Sequence, residues 1–416
     1  MQQHPPSSIT QPAAAAASPS LLRRIVSFLI KHHLPIGIAL AVFLGALYPP
    51  PGRWLSTFPT TTVAICLIFC IQGLRLDTEE AKDALRSYRA TLYGFIMILF
   101  LTPFFSFPLQ WMPLDPPELT YGICLFLCMP TTISTGVIFT RESHGNSSLA
   151  LLLCIGTTLL SIPLMPFTIP FFALRSSGSA DVSFDTTAFL LNLCLTIGLP
   201  LLVGKGVRQF VPRAPSYIDR GEAVLKYVSS VALLVLPYMQ ISNSADLITG
   251  MSVTALLMTL EFSIVLHVVL LAVNWAVCHY GRSVLLLDDG KVKALVFCAS
   301  EKTLAIAVAV LPLLPWDEQR KGAMAVGVII CHLVQTTMDG TLASLWGGRF
   351  LQQEVERKQR EAAGGVSGNS AAIELPEQSQ GGVYMKMVEE EKEERKEERK
   401  EAVPFTPSII VRDTAS

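Results

Sequence analysis

Between residues 34 and 346 the chain repeats one pattern ten times, a run of about twenty mostly apolar residues followed by a polar connection. The runs cover 34–50, 58–74, 90–109, 119–140, 147–173, 184–204, 223–241, 252–279, 291–314 and 322–346. About twenty residues of helix cross a bilayer core, and that core offers no water to unpaired backbone groups. Segments of this kind therefore fold as helices. Hydrophobic residues make up 51% of the sequence and charged ones 16%. A soluble domain carries roughly 25% charged residues. The pattern predicts an all-α polytopic membrane protein with ten transmembrane helices.

Outside the runs, residues 1–20 are rich in Gln, Pro, Ser and Ala and are expected to form a disordered cytoplasmic tail. That tail lacks acidic residues and precedes Arg23-Arg24, a faint likeness to an organelle transit sequence that carries little weight. Residues 21–350 form the membrane domain. Residues 351–416 form a charged, mostly disordered cytoplasmic tail. Its start, 351–363, is expected to continue as helix, followed by a Gly/Ser/Gln-rich linker and the charge run Glu389–Glu401.

Basic residues orient the bundle. With the N-terminus inside, inner segments hold Arg23, Arg24, Lys31, Arg75, Lys82, Arg86, Arg89, Arg141, Lys205, Arg208 and more beyond. Outer connections hold only Arg53, Arg175, Arg320 and Lys321, and 108–118 has neither Lys nor Arg. This asymmetry places both termini in the cytoplasm. Ten spans divide into two fives, and five is odd, so the second half enters the membrane from the side opposite the first. The expected architecture is two inverted five-helix repeats.

Two runs are interrupted, and each is the fourth of its half. In the ninth, Val296-Phe-Cys-Ala-Ser-Glu-Lys-Thr-Leu304 puts Glu301 and Lys302 near mid-membrane, where each charge costs about 2.5–3.5 kcal/mol on insertion scales. In the fourth, Cys128-Met-Pro-Thr-Thr-Ile-Ser-Thr-Gly136 combines a proline with a cluster of hydroxyls. Corresponding breaks in inverted halves point to the binding site of a secondary transporter. Two roles compete for Glu301 and Lys302: an ion pair holding the break, or a site for ion or solute. Neighbours in sequence diverge by about a hundred degrees on an ideal helix, so direct pairing needs unwinding. Thr131, Thr132, Ser134 and Thr135 carry oxygens able to cap half-helices or to face a cation.

Secondary candidates are Glu261 in the eighth run, with His267 beside it, and the stripe His332, Gln335, Thr336 and Asp339 in the tenth. The stripe has i, i+3, i+4, i+7 spacing and faces either the bundle interior or water. Of the nine cysteines, most lie inside apolar runs, and none stands at a metal-ligand spacing with histidine. The residues assign no metal centre and no cofactor. No nucleotide loop, Ser/His/Asp order or His-Glu-x-x-His helix is present, so an enzyme is not expected, nor a nucleic-acid partner.

Met129-Pro-Thr-Thr-Ile-Ser-Thr-Gly-Val137, with Thr140-Arg141 and Gly145-Asn146, resembles the bile acid:sodium symporter superfamily. The match is nearest its sodium/bile acid cotransporter 7 branch, which includes fungal regulators of calcium entry. Phe69-Cys-Ile-Gln-Gly-Leu-Arg-Leu76 and Ser300-Glu-Lys-Thr303 agree with that branch, and the likeness covers about residues 34–348. It implies that helices 4 and 9 are unwound and cross at the midplane. It also implies a core of helices 3–5 and 8–10 moving against a panel of 1, 2, 6 and 7. Glu301 stands at the acidic position of the family's ion site, with Ser300, Lys302, Thr303 and Asn146 in the same motifs. The family's Gln-Asn pair is replaced by Ala305-Ile306 and its Ser-Asn by Thr135-Gly136. Those departures argue against two-sodium symport and leave a single sodium ion or a proton as the coupling ion. The expected function is transport of a small organic anion or an influence on calcium homeostasis. The alternative is a non-transporting regulator partnered with a calcium channel or pump. The plasma membrane is the expected location, with Golgi or ER as alternatives.

Overall fold

The computed structural model describes residues 33–76, 87–112, 114–174 and 185–364. The expected N-terminal tail, Lys31, Lys82, Arg86, Arg175, and the linker and charge run after Gly364 lie outside the described residues. So does the side chain of Ser134.

The described residues are helical, with no strand among them. In chain order the helices are α1 (His33–Leu47), α2 (Pro50–Leu55), α3 (Thr60–Arg75), α4 (Tyr88–Leu109), α5 (Glu118–Leu127), α6 (Ile133–Glu142), α7 (Ser147–Ala173) and α8 (Thr186–Phe210). They continue as α9 (Ala214–Arg220), α10 (Glu222–Asn243), α11 (Ala245–Thr249), α12 (Val253–Tyr280), α13 (Arg282–Leu285), α14 (Asp289–Ser300), α15 (Leu304–Val310) and α16 (Glu318–Gly364). Seven helical stretches are long and apolar enough to cross a membrane: α4, α7, α8, α10, α12, the α14–α15 run Asp289–Leu313, and α16. Shorter apolar helices fill Leu34–Leu47, Thr60–Arg75 and Glu118–Leu127. The first run is cut short by Pro49-Pro50-Pro51, and the chain restarts there as α2. Helix α16 passes beyond its expected span and takes in the charged extension.

Local signals set the ends. Asp185, Asn146, Ser252 and Asp288 each precede a helix, and each side chain accepts a hydrogen bond from a first-turn N–H of α8, α7, α12 or α14. Packing then sorts the helices. α1, α3, α8 and α10 pack on one another, while α14 packs against α4, α6, α7 and α12. α15 reaches from the second set to touch α3 and α10. The most apolar stretch of Asp289–Leu313 is buried throughout, against 22% for α12, so the charged ninth run is the centre of the bundle and α12 its rim. Val253, Leu257, Val265 and Tyr280 on α12 are exposed, an apolar surface of the kind a bilayer covers.

The helix before the first break is held close to α16 by two glycines. Gly122 lies against the carbonyl of Met324, and Gly327 against the carbonyl of Leu119, with no room for a Cβ at either. Gly348, further along α16, has nothing within 4 Å of where a Cβ would stand. Gly122→Ala should therefore destabilise the protein by about 1–3 kcal/mol through overpacking, whereas Gly348→Ala should be neutral or slightly stabilising. Thermal unfolding of the purified protein in detergent compares the two.

Candidate functional site

Both predicted interruptions are real breaks in the helices. α5 ends at Leu127, three residues before Pro130, whose ring disfavours helical backbone at Met129. Thr132, at φ −85° and ψ 133°, is extended before α6 begins. α14 ends at Ser300. Glu301 (φ −81°, ψ 146°) and Thr303 (φ −86°, ψ 123°) are extended before α15 begins. The two extended segments meet, the Thr303 N–H donating to the Pro130 carbonyl at 3.0 Å.

Every backbone N–H in the second break has a partner. Glu301 donates to the Phe297 carbonyl at 2.9 Å. Lys302 donates to Gln335 Oε1 at 3.0 Å, and Gln335 Nε2 donates to the Lys302 carbonyl at 2.5 Å. One amide side chain from α16 thus pairs with a peptide unit as a neighbouring strand would. That is the cost of unwinding met locally, since an unpaired buried peptide group costs about 1–3 kcal/mol.

The two charges do not pair. Glu301 is 0% exposed, and its Oε2 accepts from Thr135 Oγ1 at 3.0 Å while Oε1 has no hydrogen-bond partner. Lys302 is 1% exposed, and its Nζ donates to the Ile98 carbonyl at 2.8 Å. The reason lies in α4. Its stretch Met97–Leu101 is π-helical, with the Thr102 N–H returning to the Met97 carbonyl. In that register the donor for Ile98 would be residue 103, which is Pro103 and has no N–H. The ammonium takes the carbonyl that proline leaves free. Of the two roles open to them, a direct ion pair between Glu301 and Lys302 is not formed: unwinding lets the neighbours turn to different helices.

Around this centre the other candidates divide. Thr131 and Thr132 are buried at the first break, and Thr303 at the second. The Thr132 carbonyl accepts from Cys154 Sγ at 3.2 Å. Ser300 Oγ accepts from Asn274 Nδ2 at 3.1 Å, and Asn274 Oδ1 accepts from Tyr93 at 3.0 Å, a chain joining α14, α12 and α4. The α16 stripe is buried: His332 Nδ1 lies 3.1 Å from Gln335 Nε2, Thr336 bonds back to the His332 carbonyl, and Asp339 Oδ1 lies 2.8 Å from His267 Nε2. Asn146 is not brought to the crossing. It caps α7 through Leu149 N–H and lies beside Gly290, eleven residues of α14 from Glu301, or roughly 16 Å at the helical rise. Glu261 is exposed on the outer face of α12 and does not face the bundle. Among the described residues, no group of three or more His, Cys, Asp and Glu is arranged to hold a metal ion.

Sequence reading missed Asn274 and Tyr93. Thr259, Ser263, His267 and Asn274 are all buried on one side of α12, a polar stripe that periodicity alone would have exposed. Nothing in the sequence linked Ile98 to Lys302.

A sequence model of the SBF-like CPA transporter family matches residues 32–347. A probable sodium/metabolite cotransporter BASS4, chloroplastic, of Arabidopsis thaliana is 32% identical over 329 residues, covering 78% of this chain and 74% of its own. The protein of that name from Oryza sativa subsp. japonica is 30% identical, covering 82% of each chain. Sodium/bile acid cotransporter 7-B of Xenopus laevis is 26% identical, over 75% of this chain and 90% of its own.

The amide clamp carries a prediction. Gln335→Leu keeps much of the side-chain volume but leaves the Lys302 N–H and carbonyl buried without partners. The expected loss is about 2–5 kcal/mol, two unsatisfied peptide groups. Thr337→Val, at an exposed position that bonds only within its own helix, should change little. Thermal melts of the two variants in one detergent give the comparison.

Proposed function

Because the chain belongs to the SBF-like CPA transporter family, we propose that it moves a small organic anion across a bilayer by alternating access at the crossing of its two helix breaks. The observation carrying this reading is the hydrogen bond between the breaks, Thr303 to Pro130, with the buried Glu301 beside it. Extended backbone at membrane depth is tolerated where it is enclosed by protein or lines a cavity. The N-terminus of α6 starts at the first break, and its dipole favours an anionic group there. The names of the relatives, sodium/metabolite and sodium/bile acid cotransporters, fit a small-solute substrate.

The ten-span, inverted arrangement is part of the same proposal. The seven long and three shorter apolar helices occupy the ten runs, which supports it. The membrane domain is 21–350, and α1, α3, α8 and α10 form the panel against which the remainder moves. Site residues are Glu301, Lys302, Thr303, Ser300, Thr131, Thr132, Ser134 and Thr135. Lys302 brings its own positive charge to the break, so transport should depend weakly on sodium.

Flux into liposomes tests this. Purified protein should accumulate a labelled metabolite anion at similar rates in sodium and in potassium. Glu301→Gln retains an acceptor for Thr135, so it should fold normally and lose transport on the order of tenfold or more. Full transport by a well-folded Glu301→Gln protein would remove Glu301 from the mechanism. Strong sodium stimulation would overturn the coupling proposal. A folded protein that moves no anion would favour the regulatory alternative.

Orientation has its own test. Leu114, in the 108–118 connection, is buried at 5% exposure, whereas Trp111 is 85% exposed. With both termini cytoplasmic, Trp111→Cys should react with an impermeant maleimide applied to the outside of intact cells. Reaction only after permeabilisation would reverse the assignment.

A further inference from the structure

Helix α9 (Ala214–Arg220) joins α8 to α10, two stretches long and apolar enough to cross a membrane. It therefore lies where the bundle leaves the apolar layer. Ile218 is its buried residue. Tyr217 and Arg220, three apart, share the side away from Ile218, and Arg213 stands just before the first turn; all three are exposed.

The cations in this corner have two fates. Lys205 Nζ donates to the Leu76 carbonyl at 3.0 Å, and Arg208 Nη1 to the Leu74 carbonyl at 3.2 Å, so both serve the end of α3. Arg208 also meets Asp219 at 3.1 Å, and Arg75 meets Glu222 at 3.4 Å. Arg213, Arg220 and Lys226 are exposed and make no hydrogen bond or ion pair among the described residues.

The far end of α10 is different. This helix runs 22 residues, roughly 33 Å at the helical rise, from Glu222 near α9 to Asn243. Just past it, Asp246 binds Arg53 at 2.9 Å, and Ser244 donates to the Glu318 carbonyl at 2.8 Å. Beside that contact Arg320 binds Glu118 and Lys321 binds Glu318, each at 3.1 Å. The protein thus supplies carboxylates for these cations at one end and leaves three without them around α9. Large apolar side chains stand beside the three in the chain. Phe210 is 78% exposed, and Val211, Tyr217 and Val224 are exposed as well. A soluble anion would satisfy the arginines and leave these side chains in water. A leaflet surface satisfies both, with apolar groups at the acyl boundary and guanidinium groups on phosphate oxygens.

We propose that Arg213, Arg220 and Lys226, with Phe210 and Tyr217, form a docking surface for the headgroups of anionic phospholipids in the adjoining leaflet. The surface needs the chain to be an integral membrane protein and is independent of what it transports.

The test is binding of radiolabelled phosphatidylserine to the immobilised full-length protein in a neutral detergent. Unlabelled phosphatidylserine should compete at about tenfold or more lower concentration than phosphatidylcholine of the same chains, and inorganic phosphate should not displace the label. Each cation removed should weaken binding about fivefold, so Arg213→Gln/Arg220→Gln should lose more than Lys226→Gln. Arg349→Gln, an equal change of charge at another exposed position, should bind as the wild type does. These side chains hold nothing in the bundle, so the variants should melt at the wild-type temperature; if the double variant fails to fold, Lys226→Gln gives the comparison. Equal competition by phosphatidylcholine, unchanged binding in the α9 variants, or an equal loss in Arg349→Gln would each overturn the proposal. Displacement by inorganic phosphate at the concentration of the lipid would overturn it in favour of a site for free anions.

Discussion

A single backbone hydrogen bond, Thr303 to Pro130, joins the two places where the bundle gives up regular helix. In water such a bond is worth about 1 kcal/mol net, because the solvent competes for both partners. At the centre of a membrane protein there is no such competition, and the alternative is two unsatisfied peptide groups. The rest of the site follows from this constraint. α5 and α6 change direction on one side of the bond, and α14 and α15 on the other. The Gln335 amide supplies the pairing that the second break lacks.

The charges obey the same accounting. Pro103 removes a donor from α4, the π-helical register hands the deficit to Ile98, and Lys302 fills it. One irregularity in the third apolar run thus fixes a lysine from the ninth. That leaves Glu301 to Thr135, well separated in role from its sequence neighbour. Replacing Lys302 would cost the bundle a structural contact as well as a charge, since removing one partner of a buried pairing leaves the other exposed to a low dielectric.

The rim helix α12 shows how little contact such a bundle needs. Most of its surface is apolar and exposed, yet its buried side carries Thr259, Ser263, His267 and Asn274. Ser263 meets Cys331, His267 meets Asp339, and Asn274 meets Ser300. Lipid tails are as apolar as leucine, so apolar area gives no preference for a neighbour over the bilayer, and small and polar side chains select the partner instead.

Much was legible in the sequence. Ten apolar runs demanded helices because the bilayer permits little else, and Pro130 and the Glu301–Lys302 step marked where two of them break. The α16 stripe at i, i+3, i+4, i+7 declared one polar face, because residues at that spacing share one side of a helix, and the structure turns that face to the bundle interior. What each polar group touches was not legible. Asn146 reads as part of a motif and is a helix cap. Glu261 reads as an intramembrane acid and faces outward. Lys302 reads as either an ion-pair partner or a site residue, and its ammonium turns to the Ile98 carbonyl. Periodicity places a residue on a face of its own helix, but which helix lies opposite, and at what height, depends on crossings set by tertiary packing such as Gly122 on Met324. Hydrogen bonds between helices are decided at that level, over a few ångströms, and only the folded bundle specifies them.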